Sequence, residues 1–518
     1  MEGSKHRLAG VAGIAVGDRR RSRADIADRS ARLASALAAR GVDEGAAVAI
    51  LLRNDFIFIE AVQAIQQLGA CPVPVNWHFK HPEILHVLAD SGALLLIGHA
   101  DLLRPLEGRL EASLICLSAE TPPEIREAYR VTMADAAVPE WAENLEHVIA
   151  SQPVYTGKPR QQPQTMIYTS GTTGKPKGVR RDSPTPEQRD AADRLREIVY
   201  GLRPGVRALL PGPLYHSAPS FFAMRAASVG ERLVLMPRFD PEQLLSIIET
   251  ERIEVIFMVP TMFVRLLNLP QEIRERYDLS SLRHIVHASA PCPPDVKRAM
   301  IDWWGPVINE FYGSTEAGTI TFCTSADALR KPGSVGRPAP DAELRFYGED
   351  GALLVPGAIG EIYTRIRTAP DFTYHNLPSE REKIGRDGFI TSGDVGYIDD
   401  EGYVFICDRK KDMVISGGVN IYPAEIEAAL LGLPGVQDCA VFGIPDEEFG
   451  EALMAFVEPR AEAELAGDQL RVALKSVLAS HKVPRFIEIA AELPREDSGK
   501  IFKRRLREPY WQDVGRVI

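Results

Sequence analysis

The chain has 518 residues, more than a single hydrophobic core sustains, so two or more domains are expected. Hydrophobic residues at 45% and charged residues at 25% exclude disorder, collagen and coiled coil, and 71 acidic against 60 basic side chains leave a formal charge of -11 that repels nucleic-acid backbones and anionic lipid. The six cysteines (Cys71, Cys116, Cys292, Cys323, Cys407, Cys439) include no C-x-x-C pair, and no stretch approaches the roughly 18 apolar residues of a membrane span, so a cytoplasmic protein with reduced thiols, no structural zinc and no transmembrane segment is expected.

At the start of the chain Gly10, Gly13 and Gly17 imitate a spaced glycine motif, but no strand pattern precedes them and the segment reads as a mobile terminus. Arg19, Arg20, Arg21 and Arg23 adjoin Asp18 and Asp25 and are expected to border a surface helix rather than to bind nucleic acid. Ile26, Ser30, Leu33 and Leu37 then share a helical face ending at Gly41, and residues 47–52 form a short apolar run. Helix and strand patterns alternate through 56–68, 71–75, 82–90 and 93–97, and the rhythm returns at 232–236, 241–250, 254–259 and 283–287. Such alternation argues for parallel sheets covered by helices. Between the two stretches, residues 180–194 are polar and read as an exposed connection running into a helix.

Past residue 330, short strand patterns at 342–347, 360–365 and 403–406 are punctuated by Gly and Asp turns, the spacing of a small β unit. A charged segment from 408 to 419 leads to a helix at 424–431, strands at 440–442 and 453–457, and an amphipathic helix at 470–478. About 100 residues with their own strands and helices can form a separate domain. The expected fold is α/β: a large N-terminal domain (1–410) of layered βαβ subdomains plus the small β unit, and a smaller α+β C-terminal domain (411–518).

The strongest local signal is Thr169, Ser170, Gly171, Thr172, Thr173, Gly174, Lys175, Pro176, Lys177 and Gly178, directly after a strand-like run at 165–168. Glycines admit backbone amides close to an anion, the hydroxyls add donors and the lysines add charge, a set suited to a triphosphate. The usual P-loop has four residues between its glycines and a Ser or Thr after its lysine; here the gap is two and Pro176 follows Lys175. A flexible Gly/Thr surface turn is the alternative. His284 and His287 lie three apart, which on a strand puts them on opposite faces and rules out joint metal ligation. No G-x-S-x-G is present to make a serine-hydrolase elbow.

The decapeptide resembles the phosphate loop of the adenylate-forming superfamily, which contains acyl- and aryl-CoA synthetases, peptide-synthetase adenylation domains and beetle luciferases. Further motifs in the same order carry the resemblance from residue 169 to 500. The run from Phe311 to Glu316 resembles the adenylate motif, which implies that Tyr312 stacks on adenine, Thr315 bonds the α-phosphate and Glu316 holds Mg2+, with Gly313 and Ser314 beside the nucleotide. Ser289, Ala290 and Pro291 are placed in the ATP/AMP site by the same likeness. Asp394 in Thr391-Ser392-Gly393-Asp394 would bind the ribose hydroxyls, with Arg409 nearby. Residues 494–500 resemble the motif that delivers a catalytic lysine, Lys500. Residues 408–420 resemble the hinge motif, with the pivot at Lys411 and with Gly417 and Gly418 bordering a channel for the pantetheine of coenzyme A.

The resemblance implies two half-reactions. A carboxylate attacks the α-phosphorus of ATP, pyrophosphate leaves, and a thiol then displaces AMP after the mobile C-terminal domain rotates and withdraws Lys500. Lys177, Thr315, Glu316 and Lys500 would serve the first step, which needs positioned cations and amides rather than a protein nucleophile. Tyr215, His216, Ser217, Ala218, His287, Ala317 and Gly318 would surround the acyl group, and their small members leave room for a bulky or extended hydrophobic acid, fatty, aromatic or steroidal. The expected function is an acid–CoA ligase using ATP, Mg2+ and coenzyme A, with a homodimer compatible. The alternatives are a ligase that passes its acyl group to a carrier protein and a silent adenylate-binding sensor.

Overall fold

The computed structural model describes residues 12–158, 160–161, 163–169, 175–416, 419–461, 463–495 and 501–511. In the strand Ala47–Leu51, Val48 and Ile50 enter one hydrophobic cluster while Ala47, Ala49 and Leu51 enter another, so both faces of its sheet are covered. That sheet has five parallel strands in the order Cys71–Pro74, Ala47–Leu51, Ala93–His99, Ile115–Ala119, Glu143–Asn144. A nine-stranded sheet runs Arg337–Pro338, Gly318–Cys323, Ile308–Ser314, His284–His287, Val255–Met258, Arg207–Leu210, Arg232–Leu235, Gly13–Val16, Arg19–Ser22. It is parallel from Ile308–Ser314 to Gly13–Val16 and antiparallel at both edges.

Helices Arg23–Ala39 and Phe56–Gln67 fill the layer between these sheets. Their Leu33, Leu37, Phe58 and Ile65 share one cluster with Ile50 and Ile97 of the smaller sheet and with Val16 and Leu210 of the larger. Each helix starts on a side-chain cap: the Ser22 hydroxyl accepts from the Asp25 amide, and the Asp55 carboxylate accepts from the Phe56 amide.

Gly10 lies outside the described residues, but residues 13–17 depart from the expected mobility. Gly13–Val16 is an interior strand, and Ile14, Ala15 and Val16 are buried. Four uniformly buried residues carry no period, and Gly13 and Gly17 break the apolar run that would otherwise mark a strand. A Cβ on Gly13 would lie 2.1 Å from the Arg21 carbonyl oxygen, so this position requires glycine. The arginine run forms the edge strand Arg19–Ser22, then the helix begins, and the arginines face acids: Arg19 meets Asp55 at 2.7 Å, Arg20 meets Glu251 at 2.7 Å and Arg21 meets Glu60 at 2.5 Å.

A three-stranded sheet, Phe372–Tyr374, Lys177–Arg181, Ile167–Thr169, bridges the large sheets and the β unit. Residues 180 and 181 therefore end a strand rather than begin a connection, and the helix that follows is Pro186–Tyr200. The β unit contains Ala342–Tyr347, Gly360–Ile366, Phe389–Ile398, Gly385–Arg386 and Val404–Arg409. Sheet membership then changes: Val414–Ser416 opens the last sheet, with Val419–Ile421, Gly450–Pro459, Val436–Asp446 and Phe486–Ile489. Helices Pro423–Leu431 and Gly467–Leu474 cover it through Ile426, Leu430, Leu470 and Leu474. This smaller C-terminal domain and the large N-terminal domain of parallel sheets make a mixed α/β chain. All six cysteines are free, and among the described residues no helix is long and apolar enough to cross a membrane.

Candidate functional site

The carboxyl ends of parallel strands in an open α/β sheet point into the crevice where ligands bind. Here those ends face a cleft of about 4330 Å³, several times a usual ligand pocket of roughly 300–1,000 Å³. The cleft therefore joins several subsites. Its rim runs from Thr169 and Lys177 through Ser289, Tyr312 and Glu316 to Asp394 and Arg409, and it continues to Lys411.

Asp394 sits opposite Arg409 on neighbouring antiparallel strands. The Tyr312 hydroxyl donates to Asp394 Oδ2 at 2.6 Å, and the Arg409 guanidinium lies 3.3 Å from Asp394 Oδ1. The carboxylate, 6% exposed, is thus held from two sides. Burial, and then the adjacent negative charge of Asp394, push the Tyr312 phenol well above its ordinary range.

Thr315 and Glu316 occupy the turn between Ile308–Ser314 and Gly318–Cys323. Ser314 Oγ accepts from the Ala317 amide at 2.9 Å, and Gly318 has φ +85°, a conformation suited to glycine. A Cβ on Gly313 would lie 2.1 Å from the Gly318 carbonyl oxygen, so the two strands meet only because residue 313 is glycine. Thr315 Oγ1 lies 3.2 Å from Ser217 Oγ, and the Tyr374 hydroxyl donates to Glu316 Oε1 at 3.1 Å. Ser289 follows the strand His284–His287 with φ +77°, strained for a residue with a Cβ, and Ala290 and Pro291 continue the same wall.

Thr169 and Lys177 pair at the ends of two antiparallel strands. Ser170, Gly171, Thr172, Thr173 and Gly174 lie outside the described residues, as do Gly417, Gly418 and Lys500. The Lys177 ammonium, 9% exposed, sits 2.6 Å from Glu380 Oε2 and 5.7 Å from the centre of the Tyr374 ring. Its hydrogen bond, with help from Lys383, brings the Glu380 carboxyl down to about 2. Lys411 lies in the turn between Val404–Arg409 and Val414–Ser416, where the Asp412 and Met413 amides both donate to the Arg409 carbonyl. Beside Lys500, Arg495 and Ile501 pair as an antiparallel bridge. Lys503 pairs with Glu427 at 2.6 Å.

Two models of the AMP-binding enzyme match the chain, the enzyme domain over residues 4–368 and its C-terminal domain over residues 425–500. The chain belongs to the AMP-binding enzyme family. It is 36% identical over 495 residues to a feruloyl-CoA synthase of an Amycolatopsis species, covering 94% of this chain and 93% of that one. It is 34% identical over 482 residues to the long-chain-fatty-acid–CoA ligase FadD13 of Mycobacterium tuberculosis, covering 92% and 91%. The crystal structure of ATP-bound MatB from Rhodopseudomonas palustris superposes with TM-score 0.82 at 27% identity, covering 98% and 97%.

In this AMP-binding enzyme, Tyr215, His216, Ser217, Ala218, Ala317 and Gly318 line the cleft beyond the Thr315 turn. His287 does not reach it. That ring is fully buried and packs edge-on to Phe263 at 5.1 Å, because the wall begins one residue later at Ala288. Burial, then the Lys297 charge, hold its pKa well below the ordinary histidine range. His284 turns to the other face, onto the Val199 carbonyl and the Phe322 ring, so the two histidines share no ligand. Tyr200 lies 5.5 Å from Phe221 and 5.1 Å from Phe311, a run of rings that lines the deep end of the cleft. Sequence reasoning missed Arg181, Tyr374 and Glu380. Arg181 and Tyr374 are brought to the cleft by the pairing of Phe372–Tyr374 with Lys177–Arg181, strands about 190 residues apart with no shared local motif, and Glu380 follows on the helix Pro378–Lys383.

Proposed function

We infer that the chain is an AMP-forming acid–CoA ligase acting on a hydrophobic carboxylic acid. The carrying observation is the convergence of Tyr312, Asp394 and Arg409 on the cleft that also holds Thr315, Glu316 and Lys177. An aromatic ring, a buried carboxylate for a diol and a hydroxyl for phosphate form, in that order, a nucleotide-shaped set of partners.

Glu316 suits Mg2+: one oxygen is oriented by Tyr374, and a hard carboxylate is the ligand that ion prefers. Among the described residues no group of three or more His, Cys, Asp or Glu side chains could hold a metal, so Glu316 would share the ion with nucleotide phosphates and water. When bound, the ion supplies positive charge for the departing pyrophosphate. Thr315 orients the α-phosphate, and Asp394 fixes the ribose. Lys500 brings its charge to the carboxylate during adenylation, and rotation about Lys411 then removes it and admits CoA past Gly417 and Gly418. Lys177 acts from the edge of the glycine-rich loop, with Glu380 setting its direction.

The rings of Tyr200, Phe221, Phe257 and Phe311 along the deep wall support a bulky apolar acyl group, and ferulate and long-chain fatty acids are the substrates named for two relatives. Free cysteines support a cytoplasmic location. The test is AMP release measured with ATP, Mg2+, CoA and a panel of aromatic, fatty and steroidal acids, with acetate as control. CoA-dependent AMP release with a hydrophobic acid is expected. Release with acetate alone would refute the pocket reading, and acyl-AMP that CoA does not consume would replace CoA by a carrier protein as acceptor.

A further inference from the structure

Arg181 ends the strand Lys177–Arg181 and carries a guanidinium into the interior. Its hydrogen bonds go to carbonyl oxygens: Nη2 donates to Thr315 O at 2.8 Å and Glu316 O at 2.6 Å, and Nη1 donates to Pro370 O at 3.2 Å. The Phe372 ring lies 5.8 Å away and Glu316 and Asp371 are the nearby charges, yet desolvation still weighs most on this guanidinium, so holding it here costs free energy. The contacts fall on the two residues assigned to the α-phosphate and the metal.

The other end of Glu316 is held by Tyr374, and Tyr374 stands on the strand that pairs with Lys177–Arg181, with Phe372 opposite Arg181. Backbone and carboxylate of Glu316 are therefore gripped by adjacent strands of one small sheet. The same sheet carries Thr169 and Lys177, which bracket the glycine-rich loop.

We propose that Arg181 is a positioning residue for adenylation, fixing the Thr315–Glu316 backbone at a set distance from Lys177 on its own strand so that both meet one magnesium nucleotide. The proposal rests on the ATP-dependent reading above. The planar guanidinium ties the Thr315 and Glu316 carbonyls, through Nη2, to the Pro370 carbonyl, through Nη1, whereas an ammonium has all its donors on one rotating nitrogen. Misplacing a reacting group by about 1 Å slows chemistry by roughly a hundredfold.

The test uses the full chain with Arg181→Met and Arg181→Lys. Calorimetry follows ATP binding across a Mg2+ series, and single-turnover assays follow acyl-AMP formation with an acid that the unsubstituted enzyme accepts. Arg181→Met should raise the Mg2+ midpoint about tenfold and slow adenylation about a hundredfold, while Arg181→Lys should recover about tenfold of that rate. A lowered melting temperature with an unchanged Mg2+ midpoint in both variants would mean packing alone and would overturn the proposal. If Arg181→Met does not fold, Arg181→Lys decides by the same midpoint: raised supports, unchanged overturns. Should the unsubstituted protein bind Mg-ATP yet adenylate no acid, the ligase reading fails while the midpoint still judges Arg181.

Discussion

Replacing Tyr312 by Phe keeps the ring that would stack on adenine and removes the hydroxyl that orients Asp394. At 2.6 Å to a buried carboxylate, that hydrogen bond is of the charge-assisted kind, worth about 1.5–3 kcal/mol. The other partner, Arg409, is 3.3 Å away with its side chain 49% exposed, so solvent screening limits it to about 0–1 kcal/mol. The phenol therefore dominates. If Asp394 grips the ribose, Tyr312→Phe should weaken ATP binding by about 10- to 150-fold, at 1.4 kcal/mol per factor of ten, and Arg409→Gln by less than about fivefold. Calorimetric titration with a non-hydrolysable ATP analogue, without acid, isolates binding from chemistry. An affinity within twofold of the original in Tyr312→Phe, or a larger loss in Arg409→Gln, would refute the ranking of the two contacts.

Asp55 is fully buried; burial alone would raise its pKa, yet hydrogen bonding from His99 and the charge of Arg19 outweigh it and hold it at about 2, below 3.8. A depressed carboxyl contributes stability above its unfolded pKa and loses it as pH falls through the folded one, so Asp55→Asn should lose on the order of 2–3 kcal/mol at pH 7 and the deficit should shrink between about pH 4 and pH 2 in urea titrations. Ala218→Trp, which narrows the cleft, should shift preference toward shorter acids in competition assays, since overpacking a formed cavity costs roughly 1–3 kcal/mol; an equal loss for every acid would argue against a pocket wall. Lys500→Ala should cut adenylation by at least about a hundredfold while still converting prepared acyl-AMP with CoA, and Lys411→Pro should impair the second step more than the first; equal damage to both steps in single-turnover assays would count against domain rotation.

The helices and strands of the layered region were legible because both of their periods are local. Residues 241–250 show a helical face, and 255–258 is an unbroken apolar run that the parallel sheet buries on both sides. Gly13–Val16 was not legible, because Gly13 and Gly17 break its apolar run and what makes it a strand is its pairing with residues near 232. The site shows the same division. Tyr312, Glu316 and Asp394 stand in motifs whose residue types announce their chemistry, whereas Arg181 sits in a polar stretch that resembles a surface connection until the strand Phe372–Tyr374 covers it. His287 was misplaced by one residue of strand alternation, which separates a cavity wall from the layer behind it.

Placing the first strand inside the nine-stranded sheet sets an order of events on the ribosome. Gly13–Val16 has its parallel neighbour about 220 residues later, at Arg232–Leu235. At roughly 5–20 residues per second, some 10–40 s of synthesis separate the two. During that interval Ile14 and Val16 have no sheet to join, and the smaller sheet, whose strands all lie before residue 145, can assemble alone with one helical face still bare. The nascent chain therefore carries an unsatisfied apolar surface through nearly half of its synthesis, the kind of surface that molecular chaperones engage.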